Sequence, residues 1–140
     1  MNIHICKAKS IGMNEWVQGY YVQKTDPMLG YTYTYLVTQG HDEWTKTQLS
    51  SFVTWYQVDP ETVCRYTGLN DKYDNPIFEH DIVSCPNESN GEIIWFSYKN
   101  YHGWTVMRNN KVDVTFDPYL WDIEIIGNKF DVDNTELMED

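Results

Sequence analysis

Hydrophobic positions recur along this chain every second residue, not every three or four. Residues Tyr31-Thr32-Tyr33-Thr34-Tyr35-Leu36-Val37-Thr38 alternate, so that Tyr31, Tyr33, Tyr35 and Val37 share one face of a predicted strand. Segments 16–22, 52–58, 63–67, 82–85, 93–98, 104–107, 112–116 and 123–126 read the same way, being short and rich in β-branched or aromatic residues. The separators are turn material. Asn109-Asn110 stands between two such runs and suits the left-handed angles of a tight hairpin. Segments 86–91 and 99–103 predict longer loops, and Gly127-Asn128 a further turn. Asp59-Pro60-Glu61-Thr62 sets a capping Asp before a Pro and starts at most one helical turn. Residues 39–51 read as a loop, or as a short helix over 46–52, and residues 135–138 as a terminal helical turn or two. The first 50 residues carry the weakest strand signals. The pattern predicts an all-β chain.

Length and composition narrow this further. With 140 residues the chain suits one domain, and it shows no repeat, low-complexity stretch or linker. A chain this size buries roughly two thirds of its unfolded surface, so its core needs no metal or disulfide. Hydrophobic residues make 41% and aromatic ones 16%, which excludes a disordered chain. Ten Lys and Arg against 21 Asp and Glu give a net charge of −11, which argues against a nucleic-acid binder that neutralises phosphates. The charge is uneven: residues 1–58 are neutral, 59–116 carry −4 and 117–140 carry −7. That acidic end reads as a solvated tail or as a docking surface for a basic partner. No apolar run is long enough to span a membrane, and the first nine residues lack the apolar core of a signal peptide. Cys6, Cys64 and Cys85, an odd and widely spaced set, suit reduced thiols in a cytoplasmic protein. Asn87-Glu88-Ser89 matches a glycosylation sequon, which has no meaning without secretion.

The middle of the chain carries a longer pattern. Val58-Asp59-Pro60-Glu61-Thr62-Val63, Tyr66-Thr67-Gly68-Leu69-Asn70-Asp71-Lys72 and Pro76-Ile77-Phe78-Glu79-His80-Asp81-Ile82-Val83 resemble the YopX family of phage and prophage proteins. Similar, weaker likeness appears at residues 16–22, at Ile123-Glu124-Ile125-Ile126-Gly127-Asn128 and at Glu136-Leu137-Met138. His80 stands where the family usually has glycine, so a bulky residue must tolerate a positive-φ step there. Cys64 occupies another frequent glycine position, and Tyr73-Asp74-Asn75 replaces the usual asparagine-glycine-lysine turn. The resemblance implies an SH3-like, partly open barrel or meander over residues 58–130, with an N-terminal β extension (1–57) and an acidic tail (131–140), all in one domain. It implies no activity, because the family has none established.

The residues of the motif suit structural roles. Gly68 ends a strand with a turn, Asp71 to Asn75 make a polar tip at which Lys72 pairs locally, and Ile77 and Phe78 re-enter the core. Asp81 accepts backbone N–H groups where the next strand starts. Together with Glu79, Gly127 and Asn128 these form the expected structural set.

Candidate chemistry is sparse. Glu79-His80-Asp81 and His41-Asp42-Glu43 gather metal-ligand types, but alternate residues of a strand diverge, so a solvated turn is the simpler reading. Asp131, Asp133, Asn134 and Glu136 lack the glycine and the final glutamate of a calcium loop. Cys85 with His80 is a weak thiol–imidazole pair, no glycine-flanked nucleophile occurs, and no glycine loop cradles a phosphate. Lys7, Lys9, Lys46, Arg65, Lys99 and Arg108 look scattered. The excess of aromatics (11 Tyr, 6 Trp, 5 Phe) fills a small β core or forms a partner-binding patch with Tyr31, Tyr33, Tyr35 and Trp44 as candidates. Asp131, Asp133, Glu136 and Glu139 are the acidic candidates. The expectation is therefore a cytoplasmic, phage- or prophage-derived accessory protein in its bacterial host, not an enzyme. It binds a protein partner or itself, and needs no cofactor, metal, membrane, nucleic acid or small-molecule substrate. An oligomeric structural protein without ligand is the alternative, and an acidic nucleic-acid mimic that inhibits a host protein the weaker one.

Overall fold

The computed structural model describes residues 5–40, 52–86, 88–108, 111–113 and 122–131. Those residues are all-β, with one short 3-10 turn, and every strand pairing is antiparallel. The chain divides into two compact units, Met1–Arg65 and Tyr66–Asp140.

In the first unit β1 (Ile5–Lys9), β2 (Trp16–Thr25), β3 (Thr32–Gly40) and β4 (Phe52–Gln57) lie in the order β4-β3-β2-β1. The start of β5 (Cys64–Asn70) pairs on the other side of β1, with Cys64 opposite Lys7. Asp26 makes the β2–β3 turn: its Oδ1 accepts the N–H groups of Met28 (2.8 Å) and Leu29 (3.0 Å), and its carbonyl accepts that of Gly30. The hairpin register follows, from Thr25 opposite Thr32 to Tyr20 opposite Val37. Strand β1 is a correction to the sequence reading. Ile5-Cys6-Lys7-Ala8-Lys9 alternates, but its inward positions are only Cys and Ala, too small and too weak in β preference to announce a strand. Cys6 and Ala8 are nevertheless buried with Leu36 and Val58, and Val17 and Val63 pack on them. The predicted turn at 59–62 is present as a 3-10 turn (Pro60–Thr62) with Asp59 Oδ1 accepting from the Glu61 N–H at 3.0 Å. Thr62 Oγ1 accepts the Lys9 N–H at 2.9 Å, fastening the turn to the end of β1.

In the second unit the remainder of β5 pairs with β6 (Pro76–Phe78). A five-stranded sheet runs in the order β10-β9-β8-β7-β11, from β7 (Asp81–Cys85), β8 (Glu88–Tyr98), β9 (Tyr101–Arg108), β10 (Lys111–Asp113) and β11 (Glu124–Asn128). The meander expected from the sequence is β7 to β10, and β11 returns beside β7; among the described residues neither sheet closes on itself. Ile77, Val83, Cys85, Ile93, Val106 and Ile123 form the core, with Trp104 and Ile125 against it. Each large aliphatic among them contributes about 2 kcal/mol by leaving water.

Three predicted loops are strand instead. Strands β8 and β9 run through 88–91 and 101–103, leaving Lys99 and Asn100 as a two-residue connection with Lys99 at φ 53°. Gly91 lies in β8 because a Cβ there would stand 2.3 Å from Val106 Cγ1, so the residue read as loop-forming is a packing requirement. Gly68 (φ 85°) does not end β5; it marks a bulge between Tyr66 and Asn70, after which the strand continues. Gly127 and Asn128 belong to β11, beside a second bulge at Ile125/Gly127. The hairpin expected at 109–110 is flanked by paired residues, Arg108 opposite Lys111. The segment 41–51, strand positions 114–116 and the helical turn expected at 135–138 lie outside the described residues.

Candidate functional site

Two constellations stand out, one in each unit. In the second, the motif residues converge on buried carboxylates. Asp81 is fully buried; its Oδ2 accepts the Phe78 N–H (2.8 Å) and its Oδ1 the Asn128 Nδ2–H (2.8 Å). Asn128 Oδ1 in turn accepts the Phe130 N–H. Asp71 opens the expected polar tip and is itself buried. It is 4% exposed, and its Oδ1 accepts the N–H groups of Tyr73 and Asn75 (both 2.9 Å) while Oδ2 accepts that of Ile125 in β11 at 3.1 Å. Burial alone would raise its pKa, but the hydrogen bonds from Asn75, Ile125 and Tyr73 outweigh burial and hold it below the ordinary carboxylate value. Lys72 pairs locally, its Nζ 5.3 Å from the centre of the Tyr73 ring, and also far along the chain: Nζ lies 3.7 Å from Asp122 Oδ2, and its N–H donates to the Ile123 carbonyl.

His80 does adopt the left-handed conformation, at φ 68°, as does Asp74 at 66°. The reason a histidine is accommodated is local. Its N–H donates to Ile93 O (2.7 Å), its carbonyl accepts from Lys129 N–H, and Nδ1 meets Glu92 Oε2 at 2.7 Å. Glu79 Oε2 lies 3.9 Å from Nε2, and the Phe130 ring meets the imidazole edge-on at 5.5 Å. The Glu79-His80-Asp81 turn is thus half-buried and internally bonded, a correction to the solvated turn expected. Cys85 Sγ accepts from Nη2 of the buried Arg108, whose Nε donates to Ser89 O, while His80 is committed to Glu92. All three cysteines are buried thiols. Among the described residues no three His, Cys, Asp or Glu side chains stand together so as to hold a metal ion. This constellation ties backbone together.

The first unit offers a surface. Directly opposed residues share a face, as do alternate residues along a strand. Leu36, Tyr21 and Tyr56 oppose one another on the face that holds Cys6 and Ala8. The other face carries Lys7 and Lys9 from β1, Trp16, Gln18, Tyr20, Val22 and Lys24 from β2, Tyr33, Tyr35 and Val37 from β3, and Val53, Trp55 and Gln57 from β4. Tyr20 (47%), Trp55 (45%) and Tyr33 (37%) remain exposed. The Lys7 and Lys9 ammonium groups both stand 4.6 Å from the centre of the Trp16 ring, and Lys24 stands 4.5 Å from that of Trp55, which meets Tyr35 edge-on at 5.6 Å. No Asp or Glu occupies a described position of this face.

Of the aromatic candidates, Tyr33 and Tyr35 lie on this face, Tyr31 is exposed just before β3, and Trp44 lies outside the described residues. Asp133, Glu136 and Glu139 also lie outside them; Asp131 follows β11, its N–H donating to Asn128 O. The sequence reading missed Trp16, Tyr20, Trp55 and the lysines as members of one surface. Their alternation is visible within each strand, but the register that gathers Lys7, Lys9 and Lys24 is not.

No helix among the described residues is long and apolar enough to cross a membrane. A comparison with curated proteins finds no match. The family model described as YopX protein matches residues 19–139, which covers both the aromatic face from Gly19 onward and the whole buried motif of the second unit. The chain therefore belongs to the YopX family.

Proposed function

We propose that this protein is a binding module that engages a protein partner or another copy of itself through the aromatic face of β1–β4. The observation that carries this reading is a sheet face with exposed Tyr20, Tyr33 and Trp55, three lysines and, among the described residues, no carboxylate, in a chain of net charge −11. Exposed rings that keep a large contact area at low entropy cost are what interface centres use. The phage or prophage origin and the host cytoplasm as its location belong to the same proposal. So does an SH3-like, partly open barrel for β7–β11, supported by short strands and by bulges at Val83/Cys85 and Ile125/Gly127. The test is mass by light scattering for wild type and for a Tyr33→Ser/Tyr35→Ser variant, beside capture from host lysate. A multimer, or a captured protein, that is lost in the folded variant supports the reading. Wild-type protein that is one chain in mass and captures nothing the variant does not capture refutes it.

A further inference from the structure

We propose that the aromatic face receives the acidic end, residues 132–140, of a second copy of this chain. The inference rests on the reading of that face as a binding surface and names its occupant. Charge complementarity selects it. The face holds Lys7, Lys9 and Lys24 and no described Asp or Glu, while residues 132–140 carry Asp133, Glu136, Glu139 and Asp140 and no cation. The two are matched in apolar content as well: Val132, Leu137 and Met138 interleave with those acids, and Tyr20 and Trp55 stand exposed among the lysines. The rings hold the ammonium groups in place, with Lys7 and Lys9 over Trp16 and Lys24 over Trp55, so a carboxylate meets preordered donors. Length agrees: Trp16 to Lys24 along β2 spans about 26 Å at about 3.3 Å per residue, and nine extended residues reach about 30 Å. Two such faces packed on each other would oppose lysine with lysine, which disfavours that symmetrical alternative. A polynucleotide is the weaker occupant, because the chain's net charge of −11 repels it.

Charge exchange in the full-length chain tests this. One variant reverses the face (Lys7→Glu, Lys9→Glu, Lys24→Glu) and a second reverses the end (Asp133→Lys, Glu136→Lys, Glu139→Lys, Asp140→Lys). Sedimentation velocity follows each alone and both mixed, at low and at near-physiological salt, with thermal melts to check folding. The expected result is that wild type self-associates more weakly as salt rises, each variant alone loses at least about tenfold in association, and the mixture recovers it. If the face variant does not fold, the end variant mixed with wild type carries the test: its reversed end finds no acidic face there, so association falls in proportion to its share. Association that survives reversal of the end but is lost in Tyr33→Ser/Tyr35→Ser overturns the occupant while leaving the binding face standing. A wild type that stays one chain in mass overturns it too, and binding of an oligothymidylate probe lost with the three lysines would then assign the face to a nucleic acid.

Discussion

Asp71→Asn tests whether one buried carboxylate holds the β5–β6 connection to β11. The native oxygens accept three backbone N–H bonds, two at 2.9 Å on Oδ1 and one at 3.1 Å on Oδ2, at a site only 4% exposed. Asparagine keeps one acceptor. If its oxygen faces Tyr73 and Asn75, its NH2 group points at the Ile125 N–H, and two donors oppose each other; the flipped amide leaves two N–H groups without an acceptor. Either way at least one charge-assisted bond is lost and a buried N–H is stranded, at about 1.5 kcal/mol or more each, so the variant should be about 3 kcal/mol less stable at pH 7. Urea unfolding followed by tryptophan fluorescence measures this. The effect must also depend on pH. Because the folded-state pKa of Asp71 is depressed, the unfolded chain binds its proton first as pH falls. The carboxylate's contribution is therefore complete above the unfolded value of about 3.9 and disappears as pH drops through the lower folded value. The gap between wild type and variant should be widest near neutrality and narrow below about pH 4. A loss under about 0.5 kcal/mol at pH 7, or a gap that stays constant down to pH 3, would refute the assignment.

Three further substitutions probe the packing. His80→Gly relieves a left-handed conformation worth about 1 kcal/mol and gives up the Glu92 contact, so it should change stability by less than about 1 kcal/mol, whereas His80→Ala keeps the strain and should be the worse of the two; equal stability of the two, by urea titration, would show that the φ angle costs nothing. Gly91→Ala places a Cβ 2.3 Å from Val106 Cγ1 and should cost about 2 kcal/mol, while at Gly103 the nearest atom, 3.1 Å away, is the Tyr101 hydroxyl and should yield; paired thermal melts decide. Thr105 is fully buried with no hydrogen bond for its Oγ1 among the described residues, so Thr105→Val should raise stability by about 1 kcal/mol, and a lower melting point would show that the hydroxyl has a partner.

Asp81 and Asn128 anchor the end of β11, and the Asp131 N–H bonds back to Asn128 O.

The sequence by itself determined the class of fold, because a period of two needs no knowledge of partners. Tyr31 to Thr38 alternate whatever strand lies beside them, and Asp59-Pro60 caps its turn through bonds to residues two or three positions away. The left-handed angle at His80 was legible only through the family resemblance, which puts glycine at that position. What depended on distant residues was not. Cys6 and Ala8 form a strand only because Gly19, Val17 and Arg65 receive them; Gly91 is strand and not loop only because Val106 lies over it. Asp71 was legible as part of a polar tip, but not that Ile125, 54 positions on, brings its N–H to the second oxygen. The lysine face is the plainest case. Lys7 and Lys9 alternate in β1 and Lys24 stands near the end of β2, and a shift of the β1–β2 register by one residue would put Lys24 on the opposite side of the sheet from the other two. Only the pairing of β1, β2, β3 and β4 decides that they share one surface with Trp16 and Trp55.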